Sequence, residues 1–164
     1  MSTNTNTAQV DVRGPRFTAW VTTAVLVLAL VVSAVSPIAA AVILGAQAVV
    51  FAIGATFGPR SHPYGQVFAR LIAPRLSPVT EREPVPPLKF AQLVGFVFAV
   101  VAAVGFASGV SLLGSIATGF ALVAAFLNAA FGICLGCQMY PLVVRVRNTS
   151  NTARPFPPPH ADPA

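Results

Sequence analysis

Residues 17–57 read FTAWVTTAVLVLALVVSAVSPIAAAVILGAQAVVFAIGATF. Residues 90–144 continue in the same manner, from FAQLVGFVFAVVAAVGFASGVSLLGSIATGF to ALVAAFLNAAFGICLGCQMYPLVV. Neither stretch contains Asp, Glu, Lys, Arg or His. A helix crosses a hydrocarbon core of roughly 30 Å with about 20 residues, so each run holds two spans and not one. The first run divides at Ser36-Pro37, because proline removes a helix donor and restricts the residue before it. The second divides between Ser108-Gly109 and Gly114-Ser115, where small residues cluster. The expected fold class is therefore all-α: an integral membrane bundle of four transmembrane helices in two hairpins, over residues 17–36, 38–57, 89–108 and 115–137.

Composition agrees. Of 164 residues, 55% are hydrophobic and 9% charged, against about 25% charged in an average soluble domain. Mean hydropathy is +0.77. These values exclude an ordinary soluble enzyme domain and a disordered chain. The net charge of +6 does not indicate nucleic acid, because the basic residues are scattered rather than striped along one helix face.

The basic residues instead set an orientation. Arg13 and Arg16 precede the first run. Arg60, Arg70, Arg75, Arg82 and Lys89 fill the central loop. Arg145, Arg147 and Arg154 follow the second run, and the two hairpin turns hold none. All ten fall on one side of a four-span layout. The positive-inside rule makes that side cytoplasmic and puts both termini inside the cell membrane. Trp20, Tyr64 and Tyr140 fall near the same interface, where amphipathic rings are favoured. Ala39-Ala40-Ala41 resembles a signal cleavage site, but the apolar stretch before it is long and runs straight into a second one, so the first span reads as retained.

In the central loop, Val67, Phe68, Leu71, Ile72 and Leu76 recur at helical spacing, predicting a short helix on the membrane surface that Pro74 interrupts. Glu81 to Pro87 reads as an extended proline-rich linker. The domain boundaries expected are a disordered tail over 1–10, the membrane domain over 11–146, and a disordered proline-rich tail over 147–164.

Helices in lipid associate through close packing. Ala91, Gly95, Ala99, Ala103 and Ala107 form one small-residue stripe. Ala125, Ala129, Gly132 and Gly136 form another, and both are expected to face other helices. Gln47, Gln92 and Asn128 are the large polar side chains within the spans and are expected inside the bundle, as a polar site or as interhelical hydrogen bonds.

The candidate for chemistry is Cys134-Leu135-Gly136-Cys137, which holds both cysteines of the chain. If the fourth span runs through to Cys137, the pair sits at the C-terminal end of a helix. There the partial negative charge disfavours a thiolate. Arg13, Arg16, Arg145 and Arg147 lie on the same side and would offset that field if they fold over the site. A redox dithiol, a sulfur-carrying thiol, a metal site and two packing cysteines all fit the motif, whereas a reducing cytosol argues against a structural disulfide. Zinc usually takes four ligands, and His62 and His160 lie far apart in a loop and a tail; a homo-oligomer would supply four cysteines. No histidine lies in a span to hold haem, and no ionisable residue crosses the membrane to carry protons.

Four segments carry a resemblance. They are Asp11-Val12-Arg13-Gly14-Pro15-Arg16-Phe17, Pro63-Tyr64-Gly65, Lys89-Phe90-Ala91-Gln92, and residues 125–137 with the two cysteines. Over Asp11 to Leu142 the chain resembles an actinobacterial membrane family of uncharacterised role, domain of unknown function 4395. The resemblance implies a four-helix membrane protein and a thiol or sulfur role beside thioredoxin-like or rhodanese-type partners. Members often carry Glu after the second cysteine. This chain carries Gln138, which cannot act as a general acid or base.

The leading reading is thiol–disulfide or sulfur exchange with such a cytosolic partner, with Cys137 expected to attack and Cys134 to resolve. No cofactor is evident. A quinone as electron sink rests on analogy with other four-helix membrane disulfide systems. The alternative is a non-enzymatic membrane anchor or scaffold whose cysteines only pack.

Overall fold

The computed structural model describes residues 9–79 and 81–151. In chain order its elements are β1 (Gln9–Asp11), α1 (Arg13–Ser33), α2 (Pro37–Phe57), α3 (Pro63–Val67), β2 (Arg82–Pro84), α4 (Val85–Ala107), α5 (Ser111–Phe131) and α6 (Leu135–Asn151). The fold is all-α but for one short strand pair. Helices α1, α2, α4 and α5 are each long and apolar enough to cross a membrane.

These four form a closed ring. α1 touches α2, α2 touches α4, α4 touches α5, and α5 returns to α1, with α2 and α4 sharing the broadest interface. The turns behave as their residues dictate. Ser36 caps α2, its Oγ accepting from the Ala39 N–H at 3.2 Å, and Pro37 occupies the first helical position, where a missing donor costs nothing. At the other hairpin, Gly105 meets the backbone of Gly114. A β-carbon at Gly105 would lie 2.7 Å from the Gly114 nitrogen, so the two helices approach as closely as their backbones allow.

The core has two levels. Leu26, Leu44, Ala102 and Phe106 fill the end nearest the hairpin turns, and Ala48, Phe51 and Ala99 lie below them. Around this core the large apolar side chains face outward, with Val35, Val42, Leu112 and Phe120 among the exposed ones. An outer surface of this kind is what lipid rather than water solvates. Ala91, Gly95 and Ala99 pack inward as expected. Ala107 is exposed, and Ala102 and Gly105 are buried, as the stripe drifts around the helix.

The ends of the bundle depart from the sequence expectation in three places. The stretch read as a proline-rich linker supplies β2, which pairs antiparallel with β1 in the register Gln9↔Pro84, Val10↔Glu83, Asp11↔Arg82. Gln9 and Val10, expected in a disordered tail, belong to that pair. Val85, Pro86 and Pro87 then open α4, since proline is compatible with a first turn. The surface helix is α3 followed by a π-helical turn over Phe68–Ile72 and a 3-10 turn over Ala73–Arg75, so the winding changes as the chain approaches Pro74.

The third departure governs the site. α5 ends at Phe131, where Gly132 takes the left-handed conformation at φ 70° and its N–H donates to the Asn128 carbonyl at 3.0 Å, closing the last turn. A new helix, α6, begins at Leu135 and packs on α4, continuing to Asn151 through residues expected to be disordered. Positions 1–8 and 152–164 of the expected tails lie outside the described residues.

Basic residues in the first turns of α1 and α4 finish the neighbouring helices. The Lys89 ammonium donates to the Thr56 carbonyl at the end of α2, and Arg16 donates to the Ala130 carbonyl at the end of α5 at 3.3 Å. Cations at helix C-termini meet partial negative charge there.

Candidate functional site

The break after α5 moves the cysteines from the end of one helix to the start of another. Cys134 directly precedes α6, its carbonyl accepting from the Gln138 N–H at 3.1 Å and its Sγ from the Cys137 N–H at 3.3 Å. That is N-cap geometry with sulfur in the place usually taken by a hydroxyl or carboxylate oxygen. The C-terminal field expected from sequence is therefore replaced by an N-terminal one, whose partial positive charge favours a thiolate. The cause is Gly132, whose left-handed backbone ends α5 before the motif.

Cys134 and Cys137 are joined as a disulfide, with α-carbons 5.2 Å apart, inside the usual range of roughly 4.4–6.8 Å. The sequence argument against a disulfide assumed a reducing compartment; the local geometry accommodates the bond. Gly136 allows α6 to sit where it does. A β-carbon there would lie 2.6 Å from the Ala91 α-carbon of α4. Both sulfurs are half-buried.

In the dithiol form the two sulfurs separate in acidity. The Cys137 thiol hydrogen-bonds the Cys134 sulfur and lowers the Cys134 pKa. Burial opposes this, the backbone N–H groups of Cys137 and Gly136 assist it, and the Glu83 charge works against it. The same sulfur–sulfur hydrogen bond holds the Cys137 proton and raises its pKa, reinforced by burial and by the charges of Cys134 and Glu83. Glu83 is half-buried on β2. Burial raises its own pKa and Arg16 opposes the rise. Nothing in the sequence pointed to Glu83, because only the β1–β2 pairing brings it toward the cysteines.

Of the four arginines expected to support the site, Arg16 stands beside the turn before the cysteines, its guanidinium about 4.0 Å from where a Gly132 β-carbon would stand. Arg13 is held elsewhere. It forms an ion pair with Asp11 at 2.8 Å and donates to the Ser77 carbonyl from two nitrogens at 3.1 Å. Arg145 is exposed on α6 well along from the cysteines, and the side chain of Arg147 lies outside the described residues.

Above the cysteines a cavity of about 540 Å³ runs between α1, α4 and α5, reached by Cys134, His62, Gln92 and Asn128. Two of the three expected polar residues, Gln92 and Asn128, thus share one space. The third, Gln47, is buried on α2 and accepts from the Tyr64 hydroxyl at 2.8 Å. The Tyr64 ring in turn stands edge-on to His62, with centroids 5.3 Å apart.

Sequence reasoning considered His62 only as a zinc ligand in the loop and missed its place inside the bundle. The histidine comes from the loop yet is 1% exposed, folded back against α2 and α4. Gly54 makes room for it; a β-carbon there would lie 2.6 Å from the imidazole Cδ2 and 3.0 Å from the Gln92 Cγ. Burial pushes the His62 pKa down to about 4, against a partial opposing effect of the Gln92 amide beside it. The imidazole is therefore neutral at pH 7. Both ring nitrogens, the Gln92 Oε1 and the Thr22 Oγ1 are buried without a hydrogen-bond partner among the described residues. A group of three or more His, Cys, Asp or Glu able to hold a metal does not occur among those residues.

No curated protein and no solved structure matches the chain. One family model does, and the matched stretch runs from the first strand to α6 and takes in both cysteines, His62, Glu83 and all four apolar helices. Over residues 10–145 the chain belongs to the family described as domain of unknown function (DUF4395).

Proposed function

We propose that the protein is a membrane-embedded thiol–disulfide exchanger whose Cys134/Cys137 pair faces the cytosol and reacts with a thioredoxin-like or rhodanese-type partner. The observation that carries this reading is the start of α6. A cysteine at the N-cap, with a backbone N–H on its sulfur at 3.3 Å, has the electrostatics of a leaving or attacking thiolate. Placement of the chain in the cell membrane, with both termini cytoplasmic, is supported by the confinement of all ten basic residues to one end of the layout.

Cys134, rather than Cys137, is proposed as the attacking thiol. Its thiolate attacks one sulfur of the partner's disulfide, forming a mixed disulfide and releasing the partner's other sulfur as a thiolate. Cys137 then loses its proton and attacks the Cys134 sulfur. The 134–137 bond forms and the partner leaves with both sulfurs reduced. In reverse, a partner dithiol attacks Cys134 and Cys137 departs, so the covalent intermediate is on Cys134 in both directions. The Glu83 carboxylate is suited to take up the Cys137 proton, a role Gln138 cannot fill.

The test is trapping in membranes. A Cys137→Ser variant is expected to accumulate a mixed disulfide with a thioredoxin-like protein, reversible by reductant, and Cys134→Ser is not. Failure of both variants to trap a partner, together with cysteines that resist labelling in inverted vesicles, refutes exchange and leaves an anchor with packed cysteines.

A further inference from the structure

The cavity above the cysteines has features that neither packing nor thiol exchange requires. Its volume of about 540 Å³ falls within the roughly 300–1,000 Å³ of small-molecule sites. Its walls are mostly apolar, with Phe51, Leu88 and Phe98 among them, and Phe120 belongs both to the wall and to the lipid-facing surface, being 63% exposed. A ligand entering past Phe120 would come from the bilayer, not from water.

Against these walls stand three buried polar side chains, His62, Thr22 and Gln92, that lack a well-formed hydrogen bond among the described residues, although the Gln92 amide lies beside the His62 ring. His62 is 1% exposed and Thr22 is 3% exposed, and both reach the cavity together with the Gln92 Oε1. A buried polar group left without a hydrogen bond is costly, so a ligand that satisfies these groups is favoured. The neutral imidazole offers one donor and one acceptor, the threonine hydroxyl offers both, and the Gln92 oxygen only accepts. That set can donate to a carbonyl oxygen and can accept from a hydroxyl. Gln92 is also level with the cysteine pair. Gly136, between the two cysteines, stands against Ala91, and Gln92 is the next residue of α4.

We propose that this cavity binds a lipid-soluble quinone, ring toward His62, Thr22 and Gln92, as the acceptor of electrons from the Cys134/Cys137 dithiol. This rests on the exchange reading above. The reaction balances within the site. Two S–H bonds break and one S–S bond forms, releasing two electrons and two protons. The quinone takes up both electrons and both protons at its two oxygens and becomes a quinol. In the oxidised ligand the carbonyl oxygens accept from His62 and Thr22; in the reduced one a hydroxyl donates to Gln92.

The experiment uses the full chain in detergent and a benzoquinone carrying a ten-carbon tail. The wild type and a Cys134→Ser/Cys137→Ser double variant are both expected to bind one quinone per chain saturably. His62→Phe and Gln92→Leu should each weaken binding by about tenfold, the effect of one lost buried hydrogen bond. Ala125→Leu, which fills the cavity from α5, should weaken it as well while leaving the polar groups in place. The reduced wild type should convert one equivalent of quinone to quinol, followed by absorbance, and the double variant none. Absence of saturable binding to the wild type overturns the proposal, as does wild-type affinity in all three cavity variants. Binding without quinol formation by the reduced wild type also overturns it. If a partner is trapped on Cys134 while no quinone binds, the inference fails and the exchange reading stands.

Discussion

Gly136→Ala should separate the cysteine motif from the bundle. The added methyl would meet the Ala91 α-carbon at 2.6 Å and its β-carbon at 2.7 Å. Neither atom can turn away, because both belong to the frame of α4. Restoring ordinary carbon contacts of 3.5–4.0 Å requires α6 to retreat by about 1 Å. Overpacking of this kind costs about 1–3 kcal/mol. α6 is held mainly by α4, with little contact to α5, so the strain is relieved by undocking α6 and not by opening the four-helix ring. An increase of 1–3 kcal/mol multiplies the undocked population by roughly 5- to 150-fold. The assay is alkylation of the reduced cysteines by a maleimide, followed by mass spectrometry, alongside amide hydrogen exchange. Gly136→Ala should react faster by a factor in that range and exchange faster across residues 135–146, with α2 unchanged. Gly119→Ala is the control, since nothing lies within 4 Å of a β-carbon there; it should behave as wild type. If Gly136→Ala labels at the wild-type rate, the docking of α6 on α4 does not govern access to the cysteines.

Acidification should release the loop that carries His62. Its folded pKa of about 4 lies below the ordinary histidine value of 6.5, so the docked loop binds fewer protons than the released one. Docking is then intact above pH 6.5 and loses about 3 kcal/mol as pH falls to 4. Hydrogen exchange over residues 61–67 should rise over that window, and in a His62→Phe variant it should not. Glu83→Gln should remove a negative charge that raises both cysteine pKa values. The reduced protein should then be alkylated roughly two- to tenfold faster at pH 7, with the pH–rate profile shifted to lower pH; an unshifted profile would show that Glu83 is not electrostatically linked to the pair.

Much of the membrane architecture was legible in the sequence because the solvent imposes it. Lipid tolerates no charge and no open backbone, so uncharged runs of this length become paired helices, and Ser36-Pro37 marks a turn whatever the neighbours are. Gln92 and Asn128 were expected inside the bundle on the cost of exposing amides to lipid, and both reach one cavity. The site itself was much less legible. Cys134-Leu135-Gly136-Cys137 announces thiol chemistry, but its placement at the end of a helix came from continuing an apolar pattern through Gly132. A glycine in such a run reads equally as packing contact or as helix end. Only its left-handed conformation, φ 70°, decides which, and with it the sign of the field at Cys134.

Sequence alone determined the solvent, the number of long apolar helices and the identity of the cysteine pair. Each follows from local composition: charge is excluded from hydrocarbon, a span has a fixed length, and the chain holds only two cysteines. Tertiary structure decided what surrounds that pair. His62, Gly54 and Gln92 are brought together from a loop and two helices, and Glu83 is carried in by a strand pair that neither segment would form alone. Contacts between residues far apart in the chain leave no periodic trace in it, because the free energy that fixes them arises only when the helices have closed into a ring.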